Sequence, residues 1–163
     1  MLSPPAKSSP ALRESRDSDF DTLYQIDQAC FARGIAYSRR TLRWFLGLPG
    51  AECIVAEADG GIIGFVLTHA EGSTAQIVTL DVLEAHRRSG SGSALLAEAE
   101  KRLAARGARI VQLETAHDNA AAIAFWTRHG YRTRGVLKNY YLDRIDALAM
   151  EKRLTQPRST GAA

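Results

Sequence analysis

The sequence predicts an α+β (α/β) fold in which helices flank one mixed, mostly antiparallel sheet. Three observations predict it. Between residues 53 and 82, short apolar runs are separated by Gly-containing turns, as in consecutive antiparallel strands. From Gly90 onward, Ala/Leu-rich segments alternate with short apolar runs, the mark of β/α units. No repeat or linker-like break divides the segment. The 163 residues, 45% of them hydrophobic, therefore form one domain with a core that needs neither disulfide nor metal.

The flanks differ from the centre. Residues 1–17 are rich in Pro, Ser and charge and read as a disordered lead-in. Residues 155–163 read as a flexible tail, leaving 18–154 as the folded domain. The stretch 19–32 carries an apolar stripe of helical period (Phe20, Leu23, Ile26, Cys30) and stops at Gly34. Ser38 is an N-cap for a short helix through Leu46, which Leu48-Pro49-Gly50 breaks. Cys53–Glu57 and Ile62–His69 are strands joined by an Asp59-Gly60-Gly61 hairpin turn, with Gly64 at a bulge. Ala75–Val82 is the third long strand. Gly90–Ala105 is a helix with Gly107 at its C-terminal end, and Ile110–Thr115 a strand. Asn119–His129 is a helix, and Tyr131–Leu137 and Asp146–Leu154 are the closing strands.

Composition narrows the function. A net charge of +3, despite a pI near 9.1, is too small for a nucleic-acid footprint, and no nucleic-acid partner is expected. Cys30 and Cys53 form no CxxC pair and the four histidines are scattered, so no metal is expected. The two cysteines read as reduced intracellular thiols. With no membrane-length apolar run and no signal-peptide pattern, the expected location is the cytoplasm.

The chemistry concentrates between Leu80 and Leu96. There a strand ends, the basic pair Arg87-Arg88 follows, and Gly90-Ser91-Gly92 opens into a helix. Glycines let a ligand approach the backbone, and helix-start amides with the positive end of the macrodipole suit a pyrophosphate. Arg87, Arg88 and Ser93 add side-chain donors. A P-loop requires Gly-Lys-Ser/Thr, where this chain has Gly92-Ser93-Ala94. A dinucleotide fingerprint requires a third glycine, where Leu95 stands.

Arg87-Arg88-x-Gly90-x-Gly92 is similar to the acyl-CoA loop of GNAT acetyltransferases. A second block, from Leu113-Glu114-Thr115 through Asn119, Ala122-Ile123 and Phe125-Trp126 to Gly130-Tyr131, resembles the matching block of RimI-type enzymes. That branch acetylates the N-terminal amine of a ribosomal protein. Asn139-Tyr140-Tyr141 and Asp146–Met150 resemble its closing motifs, so the resemblance spans roughly residues 19–154. Tyr37-Ser38 departs from the branch's Pro-Trp-Ser, in a region that contributes to peptide recognition.

The resemblance implies two central strands that splay apart, with the pantetheine of acetyl-CoA filling the gap. The backbone of Leu80, Asp81 and Val82 then binds pantetheine and polarises the thioester carbonyl. Arg88, Ser89, Gly90, Ser91, Gly92 and Ser93 hold the pyrophosphate. Asn119 either touches the pantetheine arm or caps its helix. Glu114 matches the general base, with Asp81 a competing carboxylate. Trp126 stands where the branch carries a tyrosine acid. Indole is no usable acid, so Trp126 either packs on the cofactor arm or belongs to the core. Tyr141, ahead of Tyr140, then supplies the proton to the leaving thiolate. Alternatively water serves, or the thiolate leaves unassisted.

The resulting expectation is an enzyme moving acetyl from acetyl-CoA to a primary amine in one ternary complex. A protein or peptide N-terminus is the favoured acceptor, and a small metabolite or antibiotic the alternative. A non-catalytic acyl-CoA-binding module is the competing class. No cysteine is expected near the thioester, which argues against an acetyl-enzyme. The expected assembly is a monomer or homodimer without a membrane partner.

Overall fold

The computed structural model describes residues 9–155. Within them the chain order is β1 (Ala11–Glu14), α1 (Phe20–Cys30), α2 (Arg39–Leu46), β2 (Ala51–Ala58), β3 (Gly61–Glu71), β4 (Thr74–Val82), α3 (Ser91–Ala105), β5 (Ile110–Ala116), α4 (Ala120–Arg128), β6 (Arg132–Tyr141) and β7 (Ile145–Arg153). The strands form one sheet in the order β1-β2-β3-β4-β5-β7-β6. Every pairing is antiparallel except β4 with β5. The mixed, mostly antiparallel sheet expected from the sequence is the one formed.

One expectation is corrected. Ala11–Glu14 lies in the segment read as disordered, yet it adds an edge strand to β2. Composition missed it because the fixing interactions are long-range. Arg13 donates to Glu57 at 2.7 Å and to Asp19 at 2.8 Å, and Asp19 also accepts from the Arg16 amide. The expected tail 155–163, apart from residue 155, and residues 1–8 lie outside the described residues.

Strand alternation sorts the apolar residues onto two faces. Ile54 and Ala56 of β2 meet Leu95, Leu96, Ala99 and Leu103 of α3 on one face, where Trp126 and Tyr131 also lie. Cys53 and Val55 face Phe20, Leu23 and Ile26 of α1 and Leu42 of α2 on the other. Each fully buried leucine contributes about 1.5–3 kcal/mol relative to exposure. Ser38 caps α2 as expected, accepting from the Thr41 amide at 3.1 Å.

Two bulges shape the centre of the sheet. Opposite Ala56/Glu57 the extra residue in β3 is Ile63, beside Gly64. A Cβ on Gly64 would lie 2.5 Å from the Asp81 carbonyl oxygen, so this position admits β4 only without a side chain. In β4 the extra residue is Val78, between Ile77 and Thr79. It reverses which residues face α1, so that Thr79 and Asp81 are buried while Leu80 packs toward the α3 core.

Just before that bulge β4 and β5 part. Their pairing is confined to Thr74, Ala75 and Gln76 against Ile110, Val111 and Gln112. Past Gln76 the two strands share no ladder, while β5 stays paired with β7 through Ala116. This is the splay that the sequence resemblance implies.

Candidate active site

The splay has a backbone-built end and a side-chain-built end. The first lies where β4 runs through a 3-10 turn (Glu84–His86) into α3. Arg88 and Gly90 adopt positive φ, 62° and 87°, which swings the chain into the helix. The first intrahelical bond runs from the Ala94 amide to the Gly90 carbonyl at 2.9 Å. The amides of Ser91, Gly92 and Ser93 precede it and so have no acceptor within the helix. This arrangement is suited to an anion.

Several side chains expected to contact the pyrophosphate are engaged elsewhere. Arg87 Nε donates to the Val82 carbonyl at 2.9 Å, bracing the end of β4. The Ser89 hydroxyl donates to the His86 carbonyl and lies 2.9 Å from that of Ser91, which is buried. Ser93 Oγ lies 2.9 Å from His129 Nε2, and burial shifts that imidazole toward its neutral form. Arg88 is exposed. Backbone amides, rather than the serine hydroxyls, are thus what the loop presents.

Two residues for which the sequence left alternatives open have structural roles in the fold. Trp126 is 7% exposed and packs edge-on against Tyr131 with centroids 5.3 Å apart, so its ring belongs to the core rather than to a cofactor surface. Its neighbour Phe125 instead borders the loop, where a Cβ on Gly92 would lie 3.4 Å from the Phe125 ring. Sequence reasoning missed Phe125 because an apolar helix residue carries no chemical label. Asn119 takes the capping alternative, accepting from the Ala122 amide at 3.1 Å.

The second end gathers side chains from three strands and a loop. Glu114 sits on the half-buried face of β5, where Gln76 Nε2 donates to its Oε2 at 3.0 Å. Tyr140 and Tyr141 stack edge-to-face, 4.8 Å between centroids. The charge of Glu114 adds to burial in raising the pKa of both tyrosines, which places them within its field. Tyr37, from the α1–α2 loop, joins the cluster. Burial, followed by the fields of Tyr141 and Tyr140, raises its phenol too. Gln76 was not singled out in the sequence, since nothing local marks it as facing Glu114.

The hairpin that presents the tyrosines is pinned. β6 bulges at residues 138–140 opposite Asp146, between the pairs Leu137–Ala147 and Tyr141–Ile145. Asp146 accepts from the Asn139 amide at 2.9 Å and from Lys138 Nζ at 3.1 Å, which together hold its carboxyl below the usual range. The α1–α2 loop meets the same hairpin. A Cβ on Gly34, whose φ is 90°, would lie 2.5 Å from Leu142 Cδ2.

Asp81 cannot compete as a base, because its side chain is 1% exposed and turned toward α1 beside Thr79 and Asp27. One cysteine does approach the end of this strand. Cys30 Sγ donates to the Val82 carbonyl at 3.5 Å. Burial raises its pKa, so the protonated thiol, a poor nucleophile, is favoured. Among the described residues no group of three or more His, Cys, Asp or Glu is placed to hold a metal. No helix among them is long and apolar enough to cross a membrane.

Known proteins share this architecture. The chain is 28% identical over 152 residues to an N-alpha-acetyltransferase of Sulfurisphaera tokodaii, covering 85% of this chain and 90% of that protein. It is 35% identical over 114 residues to a mycothiol acetyltransferase of Clavibacter michiganensis subsp. michiganensis, covering 70% of this chain but 37% of that protein. The crystal structure of the ribosomal-protein-S18-alanine N-acetyltransferase from Escherichia coli superposes with a TM-score of 0.82 at 25% identity, covering 94% of this chain and 99% of that one. Residues 20–131 match the model of the Acetyltransferase (GNAT) family, whose members use acetyl-CoA. The chain belongs to the GNAT acetyltransferase family and is an N-acetyltransferase.

Proposed function

We propose that this enzyme transfers acetyl from acetyl-CoA to the α-amine of a protein or peptide by direct attack in a ternary complex. The observation that carries the reading is the parting of β4 from β5 beyond Gln76, with the α3 amides at one end and Glu114 at the other. The pantetheine arm lies in the gap and its diphosphate meets the amides of Ser91, Gly92 and Ser93. The amine nitrogen bonds to the thioester carbon, the C–S bond breaks, and the sulfur leaves with the bonding pair.

The nucleophile needs a free lone pair. An α-amine titrates near pKa 8, so a carboxylate reaching it directly or through one water is sufficient. Glu114 fills that role, held by Gln76. Tyr141 is a weak acid here, because burial raises its phenol further above a thiol of pKa about 8.5. It steadies the leaving thiolate by hydrogen bonding rather than by full proton transfer. An N-terminal acceptor is supported by the relatives that are named for N-alpha-acetyl and S18-alanine N-acetyl transfer.

The mycothiol acetyltransferase relative favours a second reading, a small amine acceptor. CoA-thiol release measured across N-terminal peptides and small amines separates the two. Turnover confined to small amines would sink the peptide reading. Acetyl-CoA binding without release on any amine would sink transfer to these acceptors altogether.

A further inference from the structure

Between α1 and the splayed end of β4, two carboxyl groups are buried against each other. Asp27 is 0% exposed and Asp81 1%. Asp27 Oδ2 accepts from the Tyr37 amide at 2.7 Å, and Asp81 Oδ1 accepts from the Thr79 hydroxyl. The remaining oxygens, Asp27 Oδ1 and Asp81 Oδ2, receive no hydrogen bond from any other described residue. The two side chains are nevertheless within hydrogen-bonding reach of one another. Two carboxylates repel, and a buried oxygen left without a hydrogen bond is costly. One proton between them satisfies both oxygens and removes one charge.

We propose that Asp27 and Asp81 share a proton and so form a positioning latch, which clamps the Tyr37 loop onto β4 where that strand opens for the acyl donor. Tyr37 is held at both ends, its amide on Asp27 and its hydroxyl donating to the Val78 carbonyl, at the β4 bulge, at 3.3 Å. Asp81 fixes the strand two residues after Thr79, beside the glycine at position 64 whose missing side chain admits it. The pair touches no substrate and acts through Tyr37 and the β4 backbone. For its link to the acyl donor it rests on the acetyl-transfer reading.

The surroundings favour the singly protonated pair. Burial raises both carboxyls above their ordinary range, and Asp27 raises Asp81 further. Arg87, bound to the Val82 carbonyl, is the opposing cation and lowers Asp81. The other titratable groups facing the pair are Cys30 on α1, Tyr37 on the loop and Cys53 on β2, all pushed toward their neutral forms by burial. Rising pH therefore removes the shared proton and opens the latch.

The test uses the full chain. Infrared difference spectra near neutral pH are expected to show a protonated-carboxyl band that disappears in both Asp27→Asn and Asp81→Asn. Each asparagine supplies a permanent N–H donor between the two groups. Hydrogen exchange of the loop around Tyr37 is expected to accelerate at alkaline pH in the wild type by about tenfold beyond base catalysis, and not in either asparagine variant. Asp27→Ala is expected to lose loop protection at every pH and to weaken acetyl-CoA binding about tenfold in calorimetry, with Asp27→Asn restoring both. Absence of the band, or equal loop exchange in Asp27→Asn and Asp27→Ala, overturns the latch. Should Asp27→Ala not fold, the spectra and pH profiles of the asparagine variants decide alone. If acetyl-CoA does not bind while band and exchange behave as stated, the transfer reading fails and the proton-sharing pair stands.

Discussion

The two ends of the splay are made of different material. At the α3 end the functional groups are main-chain amides, presented by two residues of positive φ and a glycine beside Phe125. At the Glu114 end they are side chains from β4, β5, β6 and the α1–α2 loop, which meet only in the folded chain. On the proposed acetyl-transfer reading, the backbone site takes what all acyl donors of one class share. A side-chain site can be redrawn by substitution without moving the strands, and that reading assigns acceptor choice to it.

That contrast can be broken from either side. Glu114→Gln is expected to lower kcat by about 10²–10⁴-fold while acetyl-CoA affinity stays nearly constant, read by CoA release and calorimetry. Unchanged turnover would remove Glu114 from the chemistry. Gly92→Val attacks the opposite end. Its side chain would crowd Phe125 and block approach to the amides, raising the acetyl-CoA Kd by about tenfold or more. If affinity survives, the amides are not the anion site.

A gentler change sharpens the comparison. Asp146→Ala releases the β6 bulge and is expected to raise acceptor KM by about three- to tenfold, leaving acetyl-CoA Kd in place. Equal effects on both ligands would erase the division between the ends. Smallest for catalysis is the remote clamp Arg13–Asp19. Arg13 holds the Asp19 carboxyl below its ordinary range. Its stabilisation is therefore present above the unfolded carboxylate pKa and fades as pH falls through the lower folded value. Arg13→Ala is expected to flatten that acid limb in denaturant titrations and to spare both Kd and KM.

The same division explains what could be read in advance. The loop from Arg87 to Ser93 was legible because glycine spacing before a helix is a local code for exposed amides. The strands and helices around it, though not the order of the strands in the sheet, followed from alternation and turn residues. Glu114 was singled out through the resemblance and Tyr141 as a substitute for the tyrosine that Trp126 replaces; in the fold the charge of Glu114 reaches Tyr141. Gln76, Phe125 and Asp27 were not, since each matters through a partner 38, 33 or 54 positions away. Trp126 was ambiguous for the opposite reason, because one large aromatic side chain fits a core and a ligand wall equally well. The β1 strand stayed hidden because its pairing depends on Glu57 and Asp19 rather than on its own apolarity.

The contact of Gly34 with Leu142 carries a last consequence. A leucine tip seated in a notch that only glycine can offer ties the rim of one loop to the rim of the other. A side chain at residue 34 would push that methyl group away and drive the two loops apart, so their spacing depends on the glycine.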